Sequence, residues 1–104
     1  MSKSALLLIP FIVGAANADS TCPETQASQA MAVTSSIHAI KIAKSAMLKI
    51  YEPEYLAGFE PFAAEKTNNI WHVHGTLLPE MLGGTPESEV CATTGEVLET
   101  YHSQ

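Results

Sequence analysis

The chain has 104 residues, 46% of them hydrophobic, with five lysines, no arginine and eleven carboxylates, a net charge of −6 with histidine neutral. That length supplies one domain with a small core and is too short for two. A surface this acidic repels phosphate backbones, which excludes nucleic-acid binding as a function class, whereas a basic protein partner would be steered toward it.

Residues 1–18 have the three parts of a secretory signal: Lys3 near the start, an apolar run over 5–16 broken by Pro10 and Gly14, and Ala16-Asn17-Ala18 as a small-x-small cleavage site. The run is about half of the ~20 residues a membrane span needs. We therefore expect residues 1–18 to be a signal peptide that is removed, and the mature protein to be soluble in the periplasm and not membrane-embedded. Asp19-Ser20-Thr21 before Cys22 lacks the apolar approach that lipid attachment requires. Removing 18 of 104 residues leaves 86, with Lys41, Lys44, Lys49 and Lys66 against eleven carboxylates, a net charge of −7.

Residues 19–33 are small and polar and read as a lead-in, either mobile and tied down by Cys22 or an extra helical turn. Cys22 and Cys91 are the only cysteines, and in a small exported domain a disulfide between them is the expected state. Closing so long a loop removes unfolded-state entropy worth roughly 4 kcal/mol in the chain-entropy model. Nothing basic flanks either thiol to lower its pKa.

From Thr34 the pattern becomes helical. Thr34 or Ser35 can cap, Ile37, Ile40, Met47 and Tyr51 recur on one stripe with Ala43 between, and Lys41, Lys44 and Lys49 fall off it. Pro53 is expected to end this long helix. The 59–65 stretch contains Pro61, which cannot donate to a sheet ladder, so it reads as an edge or irregular strand. Asn68-Asn69 then turns the chain into a central strand. There Trp71, Val73, Gly75 and Leu77 share the core face, while Ile70, His72, His74 and Thr76 share the other. Gly83-Gly84 marks a bend needing positive φ, without the following helix that a phosphate loop requires. Thr93-Thr94-Gly95 closes the last hairpin, best as a three-residue loop with Gly95 in the left-handed site.

Two groups of side chains suggest chemistry. His72 and His74 point to one side of a strand, and His102 on a paired strand could complete three nitrogen ligands for an open zinc site. No carboxylate is placed as an obvious orienter, so we read these as surface histidines and expect no metal and no cofactor. Glu52/Glu54 and Glu87/Glu89 flank prolines and read as solvated charges, not as an acid and base pair. No serine lies in a nucleophile elbow, and no enzyme activity is expected. Tyr51, Tyr55, Phe59 and Phe62 cluster after the helix; Tyr55 is the one suited to serve as an exposed anchor.

The order of pieces resembles a known family. Ala39-Ile40-Lys41-Ile42-Ala43, Glu60-Pro61-Phe62-Ala63-Ala64, Ile70-Trp71-His72-Val73-His74-Gly75-Thr76-Leu77, the Gly-Gly loop, Glu89-Val90 and Gly95-Glu96-Val97-Leu98 follow the pattern of the bacterial NTF2-fold immunity proteins. Glu60 stands where lysine is common, Thr94 where aspartate is common, and the cysteines and export signal are outside the pattern. The resemblance implies binding proteins that neutralise toxins delivered between competing bacteria, without a reacting group. The expectations are accordingly an α+β fold, with one long amphipathic helix on a curved antiparallel sheet of three or four strands, NTF2-like or cystatin-like, and an immunity domain over 34–104. The partner would be a cognate secreted effector toxin, bound stoichiometrically in the periplasm, with Glu80, Glu87, Glu89 and Tyr55 in the contact surface. The alternative is a small periplasmic ligand- or metal-binding module without a toxin partner.

Overall fold

A computed structural model describes residues 22–24, 30–80 and 83–104, so the expected signal peptide at 1–18 lies outside the described residues, as does most of the lead-in. The elements run in the order α1 (Ser36–Met47), α2 (Pro53–Ala57), β1 (Ala63–Thr67), β2 (Ile70–His74), β3 (Pro86–Cys91) and β4 (Val97–His102). The four strands form one antiparallel sheet in the order β1-β2-β3-β4, and α1 packs against it. The architecture is α+β, as expected. Its helix is shorter than expected, with 12 residues.

Local chemistry explains where α1 starts. Ser35 caps it, its hydroxyl accepting from the His38 N–H at 3.1 Å and so satisfying one of the orphan donors of the first turn. The helix ends at Met47, six residues before Pro53. Ile50 and Tyr51 N–H groups both bond back to the Met47 carbonyl, which winds the chain into a turn. Pro53 instead begins α2 at its first position, where a missing N–H costs nothing.

The buried face of α1 is Ala39, Ala43 and Met47, all fully buried. Ile40 and Tyr51 pack at its margin, but Ile37 is 78% exposed, against the stripe expected from sequence. Two residues correspond to about 200° around a helix, so a face centred on Ala39 turns Ile37 to the opposite side.

In β2 the alternation places Trp71 and Val73 in the core and leaves His72 and His74 partly exposed. Leu77 lies beyond the strand end and is exposed. Trp71 meets its polar requirement by donating its indole N–H to the Val33 carbonyl at 3.0 Å. Val33, Leu56, Phe59, Phe62, Val90 and Ala92 complete the core. Gly75 admits Phe59, since a Cβ there would stand 2.7 Å from the Phe59 Cβ.

The edge strand β1 begins after Pro61, so the expected 59–65 strand is shifted to Ala63–Thr67 and the proline stays out of the ladder. Asn68, at φ 57°, turns β1 into β2, a conformation asparagine tolerates. Gly95 is left-handed at φ 83° as expected, but Cys91 N–H bonds to Glu96 C=O, making the β3–β4 loop one residue longer than expected. A bulge follows where Glu89 pairs with Glu99 and Val90 with Val97. At this end Cys22 is joined to Cys91, and Ala32 and Val33 donate to the Thr93 and Ala92 carbonyls.

Candidate functional site

Three surfaces carry the side chains that could act on a partner. The first is the sheet face turned away from α1. Register sets it: His74 pairs with Glu87 and Glu87 with Tyr101, while His72 pairs with Glu89 and Glu89 with Glu99, and Glu65 completes the face from β1. Because successive strand residues alternate, His102 next to Tyr101 points to the α1 side. The three-histidine zinc arrangement considered from sequence is therefore not formed. Among the described residues no group of three or more His, Cys, Asp or Glu side chains is arranged to hold a metal ion.

The charges on this face are largely paired with one another. His72 Nε2 lies 2.6 Å from Glu87 Oε1. His74 Nε2 lies 3.0 and 3.1 Å from the two Glu65 oxygens, while its Nδ1 faces the Gly75 carbonyl at 3.2 Å. Both ring nitrogens of His74 thus meet acceptors, so only the imidazolium can donate to both. Burial acts to lower the His74 pKa, but the bonds to Glu65 and Gly75 outweigh it and hold the pKa above the ordinary histidine value. Glu87 shows the converse. Burial acts to raise it, yet hydrogen bonds from His72 and Ser103 hold its carboxyl below the usual glutamate range. Tyr101 donates to Glu89 at 3.4 Å, and burial, with Glu87 and Glu89 nearby, pushes its pKa up to about 12.

The second surface is aromatic and lies on the α1 side. Tyr51 and Tyr55 stack with ring centroids 5.4 Å apart, and Tyr55 meets Phe59 edge-on at 5.2 Å. The Tyr55 hydroxyl is 2.9 Å from His102 Nε2, and His102 Nδ1 is 2.8 Å from the Ser103 carbonyl. The carbonyl can only accept, so Nδ1 donates to it, while Nε2 and the Tyr55 hydroxyl form the second hydrogen bond of the ring. Tyr55 remains 44% exposed.

The sequence-expected contact residues therefore divide. Glu87 and Glu89 share the open sheet face, Tyr55 belongs to the opposite side, and Glu80 is exposed in the connection between β2 and β3. Glu52, the N-cap of α2, and Glu54, in its first turn, are both exposed.

The third surface escaped sequence reasoning. Ile37, Ile40, Lys41, Lys44, Ser45 and Leu48 line an open groove of about 430 Å³ on the outer side of α1. Lys44 is anchored there by an ion pair with Glu60 and lies 5.4 Å from the Phe62 ring centroid. A signal was present, since residues 36–51 contain three lysines and no carboxylate in a chain that is otherwise acidic.

Residues 38–104 match the family described as NTF2 fold immunity protein. No match was found among curated proteins or among solved structures. The matched span takes in most of α1 and all that follows it, including the whole four-stranded sheet, and on that match the chain belongs to the NTF2-fold immunity protein family.

Proposed function

We propose that the protein neutralises a cognate antibacterial toxin in the periplasm by binding it stoichiometrically, without a catalytic group of its own. The family match over 38–104 carries this reading. The compartment is supported by the signal pattern of residues 1–18 and by the Cys22–Cys91 disulfide, a bond that persists in oxidising compartments. Among the described residues no helix is long and apolar enough to cross a membrane.

In this account residues 1–18 are removed, residues 19–33 form a lead-in tied down through Cys22, and residues 34–104 form the immunity domain. Exported in this form, the protein meets a toxin that acts on the wall, the membrane or another periplasmic target. Its net negative charge speeds encounter with a basic toxin, with Glu80, Glu87 and Glu89 contributing to that attraction and Tyr55 to the contact on the α1 side. Co-purification tests the reading. The product of the neighbouring effector gene, expressed in the same periplasm, should be recovered with this protein at one to one by intact-complex mass. Recovery of this protein alone, under conditions where the effector is soluble, would contradict it.

A further inference from the structure

We infer that the centre of the toxin contact is the outer face of α1, and that it accepts a protein surface with an apolar middle flanked by carboxylates. This inference rests on the toxin-binding reading and names the surface and the partner's chemistry. Interfaces are strongest where apolar side chains become fully desolvated inside a polar rim. Two exposed aliphatic side chains line this face, Ile37 at 78% and the C-cap residue Leu48 at 50%. Ile37, Lys41, Ser45 and Leu48 follow one another at steps of four, four and three residues, which makes a single stripe.

Charge selects the occupant. Lys41 and Lys49 have no partner among the described residues, and residues 36–51 hold no carboxylate to neutralise them. On the open sheet face, by contrast, Glu65, Glu87 and Glu89 are already bonded to His74, His72 and Tyr101. A carboxylate-bearing partner thus meets Lys41 on α1 and Lys49 just past its end, while on the sheet face Glu65, Glu87 and Glu89 already hold hydrogen-bond partners. A second copy seated on the same face would bring no carboxylate from residues 36–51 to Lys41 or Lys49. An anionic lipid surface is opposed by the net charge of −6. The sheet carboxylates then act at a distance, drawing in a toxin that is basic overall, while α1 makes the contact that holds it.

Surface plasmon resonance with the purified product of the adjacent effector gene tests this assignment. Ile37→Ser with Leu48→Ser should weaken binding by on the order of thirtyfold or more, mainly through faster dissociation. Lys41→Glu should weaken it more than Lys41→Met. Glu87→Gln with Glu89→Gln should slow association and leave dissociation nearly unchanged. Each variant is first checked by its melting curve and by circular dichroism, so that binding is compared only among folded proteins. If folded α1 variants bind as wild type does, or if the loss follows the sheet variants, the assignment is wrong although toxin binding stands. If wild type forms a dimer that Ile37→Ser dissolves, the face belongs to a second copy and the inference is overturned. If wild type fails to bind the effector, toxin binding itself falls, and this inference with it.

Discussion

Trp71 joins the packing and the polar satisfaction of the core in one side chain. It is 8% exposed and its indole N–H is bonded to the Val33 carbonyl. Trp71→Ala should cost ~3–5 kcal/mol by chemical denaturation. Trp71→Phe keeps the ring but leaves the Val33 carbonyl without its donor, and should cost about 1–3 kcal/mol. The open-face pairs make a prediction in pH. His74 is raised, so its stabilisation is complete below the unfolded histidine pKa and is lost as pH rises through the folded value. Glu87 is lowered, so its stabilisation is complete above the unfolded glutamate pKa and is lost as pH falls through the folded value. Both are in force together between roughly pH 4.5 and 6.5. Urea midpoints against pH should therefore peak in that window, with a shallow alkaline decline that His74→Gln removes. The effect is small because these side chains are partly solvated.

The elements were unequally legible. Strand β2 and the cap of α1 depend on neighbours within a few positions, so period-two alternation found the strand and residue type narrowed the cap to Thr34 or Ser35, of which the structure uses Ser35. The buried face of α1 was legible in part: Ala43, Met47, Ile40 and Tyr51 of the expected stripe do face the core, but Ile37 does not, and Ala39 carries too little hydrophobic signal to have displaced it. Pro53 misled for a related reason: proline is excluded from helix interiors yet favoured at helix starts, and sequence alone did not say which applied. Among loops, Gly83 and Gly84 both have positive φ, but only Gly84 also abuts other atoms, with a Cβ placed 2.4 Å from the Ser103 carbonyl oxygen. Gly84→Ala should lower the melting temperature more than Gly83→Ala, and equal effects would contradict the packing at β4's end. The lead-in is held through the Cys22–Cys91 bond across 69 positions. Removing it with Cys91→Ser should lower the melting temperature by many degrees, at ~4–8 °C per kcal/mol for a domain of this size.

For the molecule as a whole, charge and fold divide the labour. The sequence showed an acidic chain without an evident reacting group, and the ordered family pattern pointed to binding. It did not show which residues share a surface, since that is decided by strand register. Alternation along β4 sends His102 to the α1 side, where Tyr55 of α2 meets it, while Glu87 and Glu89 face the other way. Nor did it show the α1 groove, because the outer side of a helix becomes visible only when the buried side is known. The most direct measurement is bacterial growth with the neighbouring effector exported to the periplasm, with and without this protein exported alongside it. The account predicts that growth stops without the protein and is restored by it. Growth that remains inhibited while both proteins are present and folded in the periplasm would contradict toxin neutralisation.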